Sequence, residues 1–99
     1  MSPTLLRALN NPIRRESLRQ LHQGDDPRSA NQLSGAMNAS LGRISYHLTV
    51  LAGQGVIRPV EERRVRGATE KFFVSQVSDH RQVVAILAET EADDDGLRG

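Results

Sequence analysis

The stretch that decides the reading is Ser40-Leu41-Gly42-Arg43-Ile44-Ser45-Tyr46-His47-Leu48-Thr49-Val50-Leu51. Ile44, Leu48 and Leu51 recur at i, i+4 and i+7, the spacing of one buried helical face. Gly42, Arg43, Tyr46 and Thr49 fall on the other side. Immediately upstream, Ser29 can cap a helix running to about Met37 that buries Ala30, Leu33 and Met37. Met37-Asn38-Ala39 then separates the two helical patterns, with Asn38 at the turn because Asn tolerates a left-handed backbone better than most residues. Two short helices joined by a tight turn read as a helix-turn-helix. An arginine, a phenol and a glycine on the exposed early turns of its second helix suit a DNA major groove, whose base edges are read by donors and acceptors.

Outward from this centre the pattern stays regular. Leu5, Leu6 and Leu9 form a short apolar face that stops at Asn10-Asn11-Pro12, since a proline disfavours helical geometry in the residue before it. Asn11 as cap and Pro12 at the first position then start a second helix to about His22, with Ile13, Leu18 and Leu21 on one side. Gln23-Gly24-Asp25-Asp26-Pro27 is punctuation. The central helix, expected over 41–53, ends at Gly53-Gln54-Gly55, where Gly55 supplies a left-handed stop. Val56 to Glu61 and Thr69 to Val74 are candidate strands flanking a loop at 62–68, a β-hairpin with a basic tip. Pro59 restricts its strand to an edge or a bulge. Ser78 or Asp79 can cap a last helix carrying Val83, Val84, Ile86 and Leu87. The expected fold is mainly α with a small β-hairpin: a winged helix-turn-helix with additional N- and C-terminal helices. Residues 1–90 form one domain that includes those terminal helices, and 91–99, with Asp93-Asp94-Asp95, form an acidic tail expected to be solvated and disordered.

Composition narrows the function. A chain of 99 residues supports one core and no separate catalytic lobe. The three aromatics, Tyr46, Phe72 and Phe73, imply modest stability on its own, which association with a second copy would raise. Without cysteine there are no disulfides, thiolate metal sites or cysteine nucleophiles. No signal peptide or long apolar run stands out, so no membrane partner and a cytoplasmic location are expected. The formal net charge of +1 conceals a division. Residues 1–75 carry 11 basic and 6 acidic side chains, whereas 76–99 carry 2 and 6. For a polyanion partner the field near the contact surface matters, and the total does not.

The residues resemble those of the ArsR-type winged-helix bacterial repressors over roughly Leu5 to Val74. Four segments in order carry the resemblance: Ala8-Leu9-Asn10-Asn11-Pro12-Ile13-Arg14-Arg15; Ser45-Tyr46-His47-Leu48-Thr49-Val50-Leu51; Gly55-Val56-Ile57; and Val65-Arg66-Gly67-Ala68-Thr69-Glu70-Lys71-Phe72-Phe73. The resemblance implies a homodimeric transcriptional regulator whose terminal helices form the dimer interface and whose fourth helix enters the major groove. It also commonly implies an effector that releases the DNA. The chain departs from the metal-sensing members, which use cysteines near the fourth helix or an Asp/His cluster on the last one. Asp79, His80, Glu91 and Asp94 only loosely echo the second arrangement, with Ser78 and Glu91 where better ligands would be wanted. Accordingly no metal or cofactor is expected.

The candidate DNA-binding residues are Ser40, Gly42, Arg43, Ser45, Tyr46, His47 and Thr49 on the helix, with Arg64, Arg66 and Lys71 on the wing beside Arg63. Arg43 and Tyr46, one turn apart near the helix start, are the expected base readers. Ser40 is first a cap, and the free N–H groups beside it can hold a phosphate. Gly42 serves either close approach to DNA or simple tolerance near a helix end. Ser45 either contacts DNA or only packs, and His47 can donate to a phosphate or to a neighbouring loop. A basic hairpin tip can reach phosphates or the minor groove, although charge also keeps an exposed β edge soluble. Leu5, Leu6, Leu9, Val83, Val84, Ile86 and Leu87 offer more apolar surface than a single docking stripe needs, hence a shared surface between two copies in a homodimer. The expected function is sequence-specific binding of double-stranded DNA, as a dimeric repressor on an inverted-repeat operator. The alternative is a winged-helix protein-interaction module that touches no nucleic acid. An enzyme is not expected, because no nucleophile, acid/base pair or phosphate loop stands out.

Overall fold

A computed structural model of the chain describes residues 3–24, 26–77 and 81–88. Helices α1 (Pro3–Ala8) and α2 (Pro12–Gln23) lead into a two-residue strand β1 (Arg28–Ser29). Helices α3 (Ala30–Met37) and α4 (Leu41–Gly53) follow, then strands β2 (Ile57–Val65) and β3 (Ala68–Ser75). A last helix, α5, covers 81–88 among the described residues. The result is a mixed α/β arrangement in which the helices surround one core and a small antiparallel sheet, ordered β1-β3-β2, lies beside it.

Local chemistry sets most element boundaries. The Asn11 side chain accepts from the Arg14 N–H, with Pro12 opening α2. Ser29 and Gln32 form a reciprocal capping box at α3, satisfying two N–H groups that would otherwise lack partners. Asn38 takes the left-handed conformation at φ 52° between α3 and α4, and Ser40 caps α4 by accepting from the Arg43 N–H at 3.3 Å. Gly55, at φ 74°, turns the chain out of α4 toward β2. Each turn therefore falls where a residue suited to it stands.

Leu18 and Leu21 of α2, Leu33 of α3, and Ile44, Leu48 and Leu51 of α4 form the centre of the core, joined by Val56, Ile57 and Val77. Burying a leucine of this kind stabilises by about 1.5–3 kcal/mol. Leu5 and Leu9 from the first segment, and Val83 and Leu87 from α5, complete the same cluster. These four belong to the surface expected to be shared between two copies, yet a single chain already buries them. Among that set Leu6 is 56 % exposed, and Val84 and Ile86 are half-buried. The reason is geometric: α1 and α5 each lay their stripe on the core, with Val84 and Ile86 packed at its edge and Leu6 left outside.

The hairpin is longer than its sequence implies. Residues 62–65, expected to be loop, extend β2, and the reversal is confined to Arg66-Gly67 at φ 53° and 82°. Two consecutive positive φ values define the tight turn whose twist matches that of the paired strands. The charged run forms a strand because its partners oppose it, Glu62 across from Lys71 and Arg63 across from Glu70. β2 is an edge strand, with a register shift between Pro59 and Glu61 that leaves Val60 as an extra residue. The caps proposed at Ser78 or Asp79 and the tail at 91–99 lie outside the described residues.

Leu51→Ala is expected to lower the unfolding free energy by about 2–5 kcal/mol. Asn38→Ala, forcing a Cβ-bearing residue without a local side-chain hydrogen bond into the left-handed region, should cost about 1–2 kcal/mol, while Asn38→Gly stays close to the parent. Urea titrations followed by circular dichroism measure all three.

Candidate nucleic-acid interface

Helix α4 is seated by its apolar face, and that seating determines what its other face presents. Gly42, Arg43, Ser45, Tyr46 and Thr49 are exposed, as is the cap Ser40, and Tyr46 as a residue is 61 % exposed. Arg43 and Tyr46 thus stand one turn apart on the open side, as their spacing implies. Leu41 at the helix start is also 48 % exposed. Thr49 spends its hydroxyl on its own helix, donating to the Ser45 carbonyl at 3.0 Å. A Cβ built at Gly42 meets nothing within 4 Å, so the fold of this chain does not itself require glycine there.

His47 is placed differently from its neighbours. It is buried, on the side facing α2, and its Nδ1 accepts from Arg14 Nε at 3.2 Å. The position follows from spacing: His47 stands three residues after Ile44 and four before Leu51, which puts all three on one face. Arg14 continues past the imidazole, its Nη1 donating to the Ala8 carbonyl at the end of α1 at 3.0 Å. Its guanidinium lies 5.9 Å from the centre of the Tyr46 ring, which in turn sits 5.5 Å from the imidazole, tilted. Burial, then the nearby charges of Arg14 and Arg43, hold the His47 pKa below its ordinary 6.5. Sequence reading did not single out Arg14, although its place after Asn11-Pro12, on the first turn of a capped helix, was the available signal.

The hairpin sorts its basic residues onto two faces. Thr69, Lys71 and Phe73 point to the α4 side, and by cross-strand pairing Glu62 and Arg64 share that face. Arg63 points away, with Nε and Nη2 donating to the Glu61 carboxylate at 3.1 and 3.2 Å and the guanidinium 4.5 Å over the Phe72 ring. It is therefore committed within the chain. Arg64, Arg66 and Lys71 are exposed, and no ion pair holds any of them among the described residues. At the base, the buried Ser29 hydroxyl donates to the Glu70 carboxylate, tying the hairpin to the start of α3.

Between α4 and the hairpin lies an open cleft of about 400 Å³. Leu41, Ser45 and Thr49 line it from the helix, and Val65, Thr69 and Lys71 from the strands. The cleft thus brings Ser45 and Thr49 of α4 beside Lys71 of the hairpin, whereas Gly42, Arg43, Tyr46, Arg64 and Arg66 do not line it. Among the described residues, no group of three or more His, Cys, Asp or Glu side chains could hold a metal ion. Asp79, His80, Glu91 and Asp94 lie outside them. No described helix is long and apolar enough to cross a membrane. No protein-family model matches the chain, and no curated protein matches it either.

The His47 environment has a pH signature. Because its folded pKa lies below the ordinary 6.5, the unfolded chain binds the proton more readily. The associated stability is fully present above about pH 6.5 and is lost as pH falls through the folded value. A His47→Asn variant, whose Oδ1 can accept from Arg14 without titrating, should show a flatter profile from pH 7.5 to 5. Unfolding free energies measured across that range test the difference.

Proposed function

We propose that this chain is a sequence-specific, double-stranded-DNA-binding transcriptional regulator with a winged helix-turn-helix fold, of the kind the ArsR-type repressors represent. In this reading α3 and α4 are the helix-turn-helix, α4 enters the major groove, and the β2–β3 hairpin is the wing. The observation that carries it is the cleft in which Ser45 and Thr49 of α4 face Lys71 of the hairpin, with Arg43 and Tyr46 exposed on the same helix, Arg64 on the same hairpin face as Lys71, and Arg66 exposed at the tip. Phosphate contacts from the wing and helix ends contribute most of the affinity and make it salt-dependent. Arg43 and Tyr46 read base edges, each well-made contact discriminating by about 1–3 kcal/mol.

Two details support the assignment. Arg66 holds a left-handed conformation that Asn or Gly would adopt at less cost, so the hairpin tip carries a cation in spite of a local backbone penalty. Gly42 lowers helix propensity by roughly 1 kcal/mol with no packing reason inside the chain, as a surface approached by DNA would require. The protein acts as a homodimer, in which the exposed Leu6, together with the half-buried Val84 and Ile86 at the edge of the core, supplies the apolar surface. Two α4 helices related by a two-fold axis then meet successive major grooves about 34 Å apart, on an inverted-repeat operator. Occupying a promoter in this way makes it a repressor.

A second reading, a protein-interaction module, has its own observation in the exposed apolar side chains Leu41 and Val65 beside the cleft. Chromatography on immobilised calf DNA separates the two, since an interaction module elutes at low salt.

Selection from a random duplex library is expected to return an inverted repeat with half-sites about one helical turn apart. Arg43→Ala should flatten preference within each half-site while leaving random duplex binding unchanged. Arg66→Asn should keep or raise thermal stability, weaken all duplexes alike and reduce the salt slope by about 1. Gly42→Ala should stabilise the free protein by up to about 1 kcal/mol yet weaken operator binding. Unchanged operator and random-duplex titrations across this set would overturn the assignment.

A further inference from the structure

Arg14 does not belong to the exposed face of α4, yet it touches both residues that flank that face's inner edge. One guanidinium makes three contacts: Nη1 to the Ala8 carbonyl at 3.0 Å, Nε to His47 Nδ1 at 3.2 Å, and Cζ 5.9 Å from the Tyr46 ring centre. The first meets a real need, because the last carbonyls of a helix have no partner within it. The second requires a neutral imidazole with its proton on Nε2, since only an unprotonated nitrogen accepts. The third sets a cation beside the ring face that attracts it. Arg14 is itself held in place, its backbone N–H capped by the Asn11 side chain at 3.0 Å.

We infer that Arg14 is a positioning residue for base reading, a strut from the end of α1 that fixes the orientation of Tyr46 and the seating of α4 through His47 without touching DNA. The inference rests on the DNA-binding reading above and adds to it a specificity determinant on a different helix. A planar fork is needed because two acceptors on different elements must be met at once, with an aromatic ring alongside. A lysine ammonium is a point charge on a flexible stem and does not reproduce that geometry.

The same arrangement makes the strut sensitive to protons. When His47 is protonated, Nδ1 turns from acceptor to donor and faces the Arg14 guanidinium, so the contact is lost and repulsion replaces it. The charges acting on the imidazole are Arg14 from α2 and Arg43 from its own helix, both cationic. Helix α3, which also packs on α4, carries no ionisable side chain, and Arg58 near the base of β2 is exposed. The Tyr46 ring also lies beside it, tilted, with the ring centres 5.5 Å apart. Operator preference is therefore lost as pH falls through the His47 titration, while random-duplex binding, carried by arginine and lysine, is not lost with it.

The test uses the full chain, the duplex recovered from library selection and a random duplex of equal length, at fixed salt. Arg14→Lys is expected to bind the random duplex as the parent does and to lose about tenfold in operator preference, the size of one charge-assisted hydrogen bond. His47→Asn, which retains an acceptor for Arg14, should keep the preference and remove its acid dependence. In the free protein, the imidazole 15N shifts of His47 should report Nδ1 as a hydrogen-bonded acceptor in the parent and lose that signature in Arg14→Lys, a readout that needs no DNA. Full operator preference in Arg14→Lys, an unaltered Nδ1 signal in that variant, or an acid dependence that persists in His47→Asn would each overturn the inference. A parent protein with no preference for any duplex overturns the DNA-binding reading itself, which is a different and separately visible failure.

Discussion

The placement of Ile44, Leu48 and Leu51 against α2 and α3 is the constraint from which the remaining geometry follows. All three are essentially without solvent contact, and they come from a helix of only 13 residues. A helix of that length is marginal in water by itself, so tertiary burial supplies its stability. Once that stripe is fixed, the rotation of α4 about its own axis is fixed too. The exposed residues then have no freedom beyond their rotamers. The polar side of α4 is thus a product of its apolar side, and a change in the core reaches the surface as a rotation.

Polar interactions refine what packing establishes. Ser29 ends β1, caps α3 and donates to Glu70, so one buried hydroxyl joins strand, helix and hairpin. Arg14 does similar work across α1, α2 and α4. Both sites satisfy polar groups that would otherwise be costly to bury. The Ser29–Glu70 bond in addition ties the hairpin to the start of α3.

Much of this architecture was legible in the residues because it depends on local rules. Asn11-Pro12, Ser29 with Gln32, Asn38, Ser40 and Gly55 each carry a conformational preference that needs no knowledge of the rest of the chain. The helix at 41–53 and its two faces were legible for the same reason. Less was visible where distant pairing decides. Glu62-Arg63-Arg64 has no apolar alternation and reads as loop until its partners across the hairpin are known. β1 is two residues long, below the reach of any periodic signal, and exists because Phe72 and Phe73 offer an open edge to pair with. His47 was grouped with the exposed residues by polarity, although its spacing from Ile44 and Leu51 places it inward. The terminal apolar residues were legible as apolar, but whether one chain or two would bury them depends on how α1 and α5 approach the core.

The additional residue at Val60 has a consequence for which arginine does what. Side chains alternate along a strand, so an uninterrupted ladder continuing from Ile57 and Pro59 would turn Glu61 and Arg63 toward α4. The shift after Pro59 reverses that parity, sending Glu62 and Arg64 there and leaving Arg63 to Glu61 and Phe72. A single codon therefore acts as a selector between two charge patterns encoded in the same nine-residue strand. Its loss would exchange the inward and outward sets at once, with no change in composition outside that position.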